Sequence, residues 1–169
     1  MTLTESSSAR FSTTRTLNAP RELVFQAWTQ PEHLTRWMSP AGMTQVSTSL
    51  DLRPGGLFHY GLSTPQGQEM WGKWVFREVT PPSRLVFVSS FSDAAGGFTR
   101  HPLAENWPLE TLSTVTFTEH GGRTLLTLSS KPINASESER QAFLNALAGM
   151  EQGWGGTFAQ LERHLTETA

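Results

Sequence analysis

The chain's most constraining feature is a long stretch in which apolar and polar residues alternate. It starts at position 43, where the helical spacing of the preceding segment ends, and continues to position 130. Alternation with a period of two is typical of strands that bury one face. Clusters of turn residues divide the stretch at hairpin intervals: RPGG at 53–56, PQGQ at 65–68, PPSR at 81–84 and the pair Gly121–Gly122. The pattern predicts a meander of antiparallel strands.

Helical patterns flank this strand region. Residues 10–17 are predicted to form a first strand, followed by two short helices, the first with Asn18 as N-cap and the second starting in a capping box at Thr29. After the strands, Ser136 and Glu139 form another capping box, which predicts the start of one long C-terminal helix. Its apolar positions step by three and four residues: Phe143, Leu147, Met150, Trp154, Phe158, Leu161 and Leu165.

These elements predict an α+β fold of two layers, in which a curved, seven-stranded antiparallel sheet packs around the long helix. Side-chain parity indicates which face of the sheet meets the helix. Phe58 and Tyr60 share one side of their strand, whereas His59 lies on the other. The same reasoning turns Met70 and Trp74 toward the helix.

Length and charge limit the number of domains and the classes of partner. The 169 residues suit one domain, which we place at 10–168 after a flexible tail at 1–9. The net charge is -2, and Lys and Arg are scattered, which argues against nucleic acid or an anionic membrane as partner. No apolar run is long enough to span a bilayer, and no secretory signal is evident. Because the chain also lacks cysteine, we expect a cytoplasmic protein.

The sequence contains no recognisable catalytic or metal-binding motif. It lacks a G-x-S-x-G elbow and a phosphate-binding loop. The histidines are far apart in the sequence, at His33, His59, His101, His120 and His164. We therefore predict neither a cofactor nor a metal, and we favour a role other than catalysis. An enzyme of the cyclase or hydrolase kind, with Glu78 or His59 acting on a buried substrate, stays open as an alternative.

The aromatic content is unusual, with six Trp, ten Phe and a single Tyr. Side chains of this size form either a bulky core or the walls of a cavity. Three glycines, Gly153, Gly155 and Gly156, surround Trp154, although each should destabilise a helix interior by about 1 kcal/mol relative to Ala. We predict that Gly153 and Gly156 allow the helix to approach the sheet closely, with Gly155 exposed; a hinge is the alternative.

Five segments of the chain resemble the proteins called activator of heat-shock-protein-90 ATPase homologue-like. That family belongs to the START-like (SRPBCC) helix-grip superfamily. The segments occur in the family's order, and the resemblance covers about residues 13–166. They are RTLNAPRELVFQAWTQPEHLTRWMSP, DLRPGGLFHY, VTPPSRLVFV, TVTFTEHGGRTLLTL and GMEQGWGGTFAQLERHL.

The resemblance implies a helix-grip fold, as in Bet v-like proteins, with a cavity between the sheet and the long helix. It transfers no catalytic residue to this chain. It implies scaffold or cavity-wall roles for a set of positions: Pro31, Glu32, Leu34, Trp37, Gly55, Gly56, Pro82, Gly153 and Trp154.

Together, the inward aromatic residues and the resemblance predict that a cavity binds a small apolar or aromatic molecule. The long loop at 92–109 is its predicted lid, with Phe98 and Trp107 as the aromatic residues. The predicted cavity residues are Trp37, Phe58, Tyr60, Met70, Trp74, Phe87, Trp154 and Phe158.

Two other interpretations stay open. The same aromatic side chains would also form a solid core without a cavity. Alternatively, the loop would be a binding surface, either of a co-chaperone of heat-shock protein 90 or of another protein-binding module. The chain is predicted to be a monomer or a homodimer.

Overall fold

The structure, a computed structural model, describes residues 9–39, 42–97, 99 and 106–168. Residues 1–8 of the predicted tail lie outside the described residues, whereas Ala9 is buried. The described residues contain seven strands and four helices: β1 (Phe11–Leu17), α1 (Arg21–Thr29), α2 (Pro31–Trp37), β2 (Thr44–Leu50), β3 (Leu57–Ser63), β4 (Glu69–Thr80), β5 (Arg84–Ser92), β6 (Glu110–His120), β7 (Arg123–Ile133), α3 (Glu137–Asn145) and α4 (Leu147–Thr168).

All seven strands belong to one antiparallel sheet in the order β1-β7-β6-β5-β4-β3-β2. Strands β2 to β7 are neighbours in chain order, as the meander pattern predicts, and β1 pairs with β7 at the other edge. The predicted fold class is confirmed: the fold is α+β, with a curved open sheet, two short helices after the first strand and a long C-terminal helix. No helix in the described ranges is long and apolar enough to cross a lipid bilayer.

The two faces of the sheet carry the side chains that parity assigns to them. Phe58 is fully buried, and its ring meets that of Trp74 at a centroid distance of 4.8 Å. Trp74 in turn stacks against Trp28 of α1, on the face covered by the helices. His59 lies on the opposite face, where it stacks on Trp71. The period-two pattern is therefore sufficient to orient these strands.

The core lies between the sheet and helices α1, α2 and α4. Two buried hydrogen bonds connect its parts: Trp37 Nε1 donates to the Ala27 carbonyl at 2.8 Å, and Thr124 Oγ1 donates to the Ala19 carbonyl at 2.7 Å. The largest fully buried side chains are Trp28, Trp37, Phe58, Phe76, Phe117, Phe143, Phe158, Leu17, Leu34, Leu85, Leu126 and Leu128.

The starts of the two short helices differ from the prediction. Pro20, rather than Asn18, is the N-cap of α1, and no side chain caps that end. The capping box predicted at Thr29 is wrong, because Gln30 is the N-cap of α2 and Pro31 is its first residue. The Thr29 hydroxyl instead donates to the Phe25 carbonyl at 2.7 Å, within α1. A hydroxyl used inside the preceding helix is not available to cap the next one.

The C-terminal segment starts as predicted but is divided into two helices. Ser136 and Glu139 form both hydrogen bonds of the capping box at the start of α3. The predicted single helix is interrupted at Ala146, where φ is -100° and ψ is 1°, and α4 begins at Leu147. The apolar stripe does not reveal this break, because the step of four residues from Phe143 of α3 to Leu147 of α4 continues the helical spacing across it.

Candidate functional site

A pocket of about 450 Å³ lies between α4 and strands β3 to β5. Its volume is within the range of small-molecule sites, roughly 300–1,000 Å³. The sheet contributes Tyr60, Leu62, Met70, Trp71, Trp74, Ser89, Ser90, Phe91 and Thr111, and the helices and the segment before β6 contribute Met38, Trp107, Pro108, Met150, Gly153, Trp154 and Thr157. Most of these side chains are apolar or aromatic, so the pocket favours an apolar occupant.

Four of the eight predicted cavity residues line this pocket. Tyr60 comes from β3, Met70 and Trp74 come from β4, and Trp154 comes from α4. The inward side of the sheet and the apolar stripe of the helix therefore meet across the pocket. Both features were visible in the sequence as periodic patterns.

The other four predicted residues lie in the core rather than at the pocket surface. Phe87 stacks face to face on Trp74 at a centroid distance of 4.0 Å, and Phe58 contacts the same ring edge-on. Phe158 packs behind Trp154 at 5.2 Å. Trp37 is fully buried, with its indole N–H bonded to α1. Phe58, Phe87 and Phe158 support the pocket wall, because each packs against a ring that lines the pocket.

Trp28 is a supporting residue that the sequence did not associate with the site. Its ring lies 6.0 Å from that of Trp74 and 6.2 Å from that of Trp154, and it is within 30° of parallel to both. It also contacts Trp37 at 5.0 Å. Trp28 thus connects α1 to both walls of the pocket. Its indole N–H is buried and has no hydrogen-bond partner among the described residues.

The predicted lid is only partly within the described residues. Trp107 lines the pocket, and its ring packs against Phe143 of α3 at 5.6 Å. Phe98 lies outside the described residues. A side chain at the pocket edge that is attached to an irregular segment is suitably placed to control access, so the lid remains a prediction for Trp107.

The three helix glycines do not serve the close packing that we expected. A Cβ atom placed at Gly153, Gly155 or Gly156 would meet no other atom within 4 Å, apart from its own chain neighbours and local helix backbone. Gly153 and Gly156 are exposed, so the prediction of close approach at these two positions is wrong. Gly153 instead lines the pocket, where the absent side chain leaves room for an occupant.

Among the described residues, the side chains that line the pocket are polar only through hydroxyl and indole groups. Ser89 Oγ lies 3.5 Å from the Thr111 carbonyl oxygen, to which it donates. No Asp, Glu, Lys, Arg or His from the described part of the chain lines the pocket. Burial of an unpaired ion is strongly unfavourable, so this lining discriminates against charged molecules.

Tyr60 carries the pocket's most constrained polar group. Its ring stacks on Phe58 at 5.0 Å and lies over Gly72, its partner in the β3–β4 register. A Cβ at Gly72 would be 2.5 Å from the Tyr60 hydroxyl oxygen, so any larger residue there would force the phenol to move. Burial raises the pKa of Tyr60 to about 12, because the phenolate would be poorly solvated. The phenol therefore stays protonated at physiological pH.

Several pocket residues were not in the predicted set, although the same patterns point to them. Met150 precedes Trp154 by one helical turn, and Leu62 follows Tyr60 on the same face of β3. Phe91 continues the inward face that includes Phe87. Thr157 was not predicted, because a hydroxyl residue does not belong to the apolar stripe of the helix.

A second, smaller pocket of about 270 Å³ lies on α2 and α4, lined by Arg36, Gln160, Arg163, His164 and Glu167. His33 Nδ1 lies 2.8 Å from His164 Nε2, which joins the two helices by a hydrogen bond. Burial, followed by the charges of His33 and Arg36, lowers the pKa of His164. This pocket is polar and differs in chemistry from the aromatic one.

The two residues considered as possible acid catalysts do not reach the aromatic pocket. Glu78 pairs with Arg84 at 3.2 Å on the protein surface. His59 Nε2 lies 3.1 Å from both Ser92 Oγ and the Asp93 carbonyl oxygen, on the face of the sheet opposite the helices. No group of three or more His, Asp or Glu within the described ranges is arranged to hold a metal ion.

Comparison with known families identifies one matching model. The model for Activator of Hsp90 ATPase homolog 1-like protein matches residues 18–166. No curated protein sequence matches the chain significantly. The family match includes every residue that lines the aromatic pocket.

Solved structures of similar fold include three bacterial proteins. One from Nitrosomonas europaea is 26% identical, with a TM-score of 0.74 and coverage of 94% of this chain and 95% of that one. A protein from Arthrobacter aurescens is 28% identical, with a TM-score of 0.75 and coverage of 96% and 88%. The AHSA1 protein from Silicibacter pomeroyi, at 17% identity, a TM-score of 0.69 and coverage of 95% and 99%, shows likeness of fold alone. The shared fold is START-like.

Proposed function

The chain belongs to the Activator of Hsp90 ATPase homolog 1-like family, and from this premise we propose that it binds a small, uncharged, apolar or aromatic molecule in the pocket beneath α4. Family and fold support a ligand-binding or an Hsp90 co-chaperone-like role. Ligand binding is favoured by one observation above the others. The pocket of about 450 Å³ has aromatic walls and lacks charged residues within the described chain.

The binding proposal is tested by filling the pocket from the helix side. Naphthalene is the probe, and isothermal titration calorimetry measures its affinity and stoichiometry. We expect one saturable site in the wild-type protein. In Gly153→Leu the new side chain enters the pocket, where the position has open space, and we expect at least about a tenfold loss of affinity.

Gly156→Leu is the matched control. Gly156 is also an exposed α4 glycine with open space around its Cβ position, but it does not line the pocket. Its affinity for naphthalene should equal that of the wild type. Absence of saturable binding to the wild-type protein, or an equal loss in both variants, would overturn the proposal.

A co-chaperone-like role is the second candidate, supported by the description of the matching family. Trp107 would be its anchor, since it lies between the pocket edge and α3 and is half-buried. The test measures the ATPase rate of the host's own Hsp90 with and without the chain. Stimulation that is lost in Trp107→Ala but kept in Leu125→Ala, a change on the exposed side of β7, would support this role. An unchanged ATPase rate would reject it.

A further inference from the structure

Tyr60 is held in one orientation by its neighbours in the sheet. The Phe58 ring stacks on the Tyr60 ring, with a centroid distance of 5.0 Å and an interplanar angle of 27°. Gly72 lies opposite it in β4, where any larger residue would collide with the phenol. A polar group whose position is determined before binding orients a ligand with little further loss of conformational entropy.

The Tyr60 hydroxyl is a hydrogen-bond donor for which the described residues provide no acceptor. Its oxygen forms no hydrogen bond with any residue that the structure describes, whereas the hydroxyl of Ser89 is bonded to a main-chain carbonyl. Burial keeps the phenol protonated, with a pKa of about 12. Tyr60 is half-buried, so water can reach this O–H group. A ligand that displaces the water leaves the hydroxyl among apolar side chains, so a ligand that supplies an acceptor binds more tightly than one that does not.

The walls around this donor are flat. The rings of Trp74 and Trp154 line the pocket, and both are within 30° of parallel to Trp28 behind them. Flat aromatic walls favour flat ligands, which stack on them at small separations. A carboxylate or an ammonium group would meet no opposite charge among the described residues of this lining.

Resting on the proposed function above, we propose that the ligand is a flat, uncharged aromatic carbonyl compound, and that Tyr60 Oη donates a hydrogen bond to its carbonyl oxygen. Tyr60 is then the residue that determines specificity, since it separates carbonyl compounds from hydrocarbons of the same shape. Gly72 has the supporting role of leaving space for the phenol. The aromatic residues bind the ring system of both classes of molecule.

Two probes of nearly equal shape separate the hydrogen bond from the apolar contacts. 2-Acetylnaphthalene has a carbonyl oxygen where 2-isopropenylnaphthalene has a methylene group. We expect Tyr60→Phe to reduce the affinity for the ketone by about 3- to 10-fold, the usual effect of losing one neutral hydrogen bond. Affinity for the alkene should change by less than about twofold, because Phe preserves the ring. Thr118→Val, which removes an exposed hydroxyl of β6 outside the pocket, should leave the ketone affinity unchanged.

Each outcome of this comparison decides one question. If the wild-type protein binds the alkene but Tyr60→Phe does not reduce the affinity for the ketone, the role of Tyr60 is wrong and the proposed function stands. If the wild-type protein binds neither probe, the proposed function fails and this inference fails with it.

Discussion

At the scale of single residues, the fold changes the acid–base behaviour of Tyr60. Burial raises the pKa of its phenol from an ordinary value of 10.0 to about 12. Between these two values the unfolded chain has lost the phenolic proton while the native protein retains it. The free energy of unfolding therefore falls as the pH rises through this interval, since the unfolded state binds fewer protons.

We expect an ultraviolet titration of the folded protein to give a pKa near 12 for its single tyrosine. Between pH 10 and 12, the free energy of unfolding of the wild type should decline more steeply than that of Tyr60→Phe. The difference in slope is at most about 1.4 kcal/mol per pH unit. Urea denaturation at several pH values measures it. Parallel profiles for the two proteins would show that the phenol is not shielded from water.

Residues that share a face of the sheet were predictable, but their roles were not. Parity turned both Phe58 and Tyr60 toward the helices, and both do face that way. Phe58 is covered by Trp74, whereas Tyr60 borders the open pocket. The difference depends on which distant side chains cover each ring, and no local pattern in β3 contains that information.

At the scale of elements, α4 combines an apolar stripe with three glycines that have open surroundings. Gly153, Gly155 and Gly156 make no close contact that an added methyl group would disturb. Each still lowers the helix propensity by about 1 kcal/mol relative to Ala. Gly153 lines the pocket, and the space beside it is open, so this position contributes to the pocket volume at the expense of helix propensity.

Replacing Gly153 or Gly156 with Ala should therefore stabilise the protein. We expect each substitution to add about 1 kcal/mol to the free energy of unfolding, which corresponds to a rise in Tm of roughly 2–4 °C for a chain of this size. Thermal unfolding followed by circular dichroism at 222 nm measures the change. A fall in Tm for either variant would restore the close-packing explanation that the structure contradicts.

At the scale of the whole molecule, a histidine pair joins a helix near the start of the chain to the C-terminal helix. His33 of α2 and His164 of α4 are 131 residues apart in sequence, and their ring nitrogens are 2.8 Å apart. Arg36 and Glu167 also influence His164, with opposite effects on its charge. The pKa of His164 is lowered, because burial and the charges of His33 and Arg36 outweigh the opposite effect of Glu167. The native state therefore disfavours protonation of this residue.

The protein should lose stability in mildly acidic solution because of this pair. Below pH 6.5 the unfolded chain protonates His164 more readily than the native protein does, so the free energy of unfolding falls as the pH decreases toward the native pKa. The slope from this residue is at most about 1.4 kcal/mol per pH unit. Urea denaturation of the wild type and His164→Gln between pH 7 and 5 measures it. An equally steep decline in the variant would assign the effect to other groups.

Local patterns in the sequence were sufficient to predict the strands, the helices and the buried face of each. Alternation, the glycine and proline clusters and the Ser136–Glu139 capping box are local, and they correctly predicted the strand meander and the start of α3. Local patterns succeed here because hydrogen-bonded turns and period-two faces involve residues only a few positions apart. The resemblance to a known family added the helix-grip arrangement, which the match over residues 18–166 supports.

Which aromatic rings form the core and which border the pocket depends on how distant segments pack together. Trp37, Phe58, Phe87 and Phe158 were indistinguishable from Tyr60, Met70, Trp74 and Trp154 in the sequence. The break at Ala146, the open space at Gly153 and the contact of Trp28 with both pocket walls were equally hidden. The physical reason is that a cavity is the volume left unfilled when distant segments pack together, so its boundary depends on all of them at once.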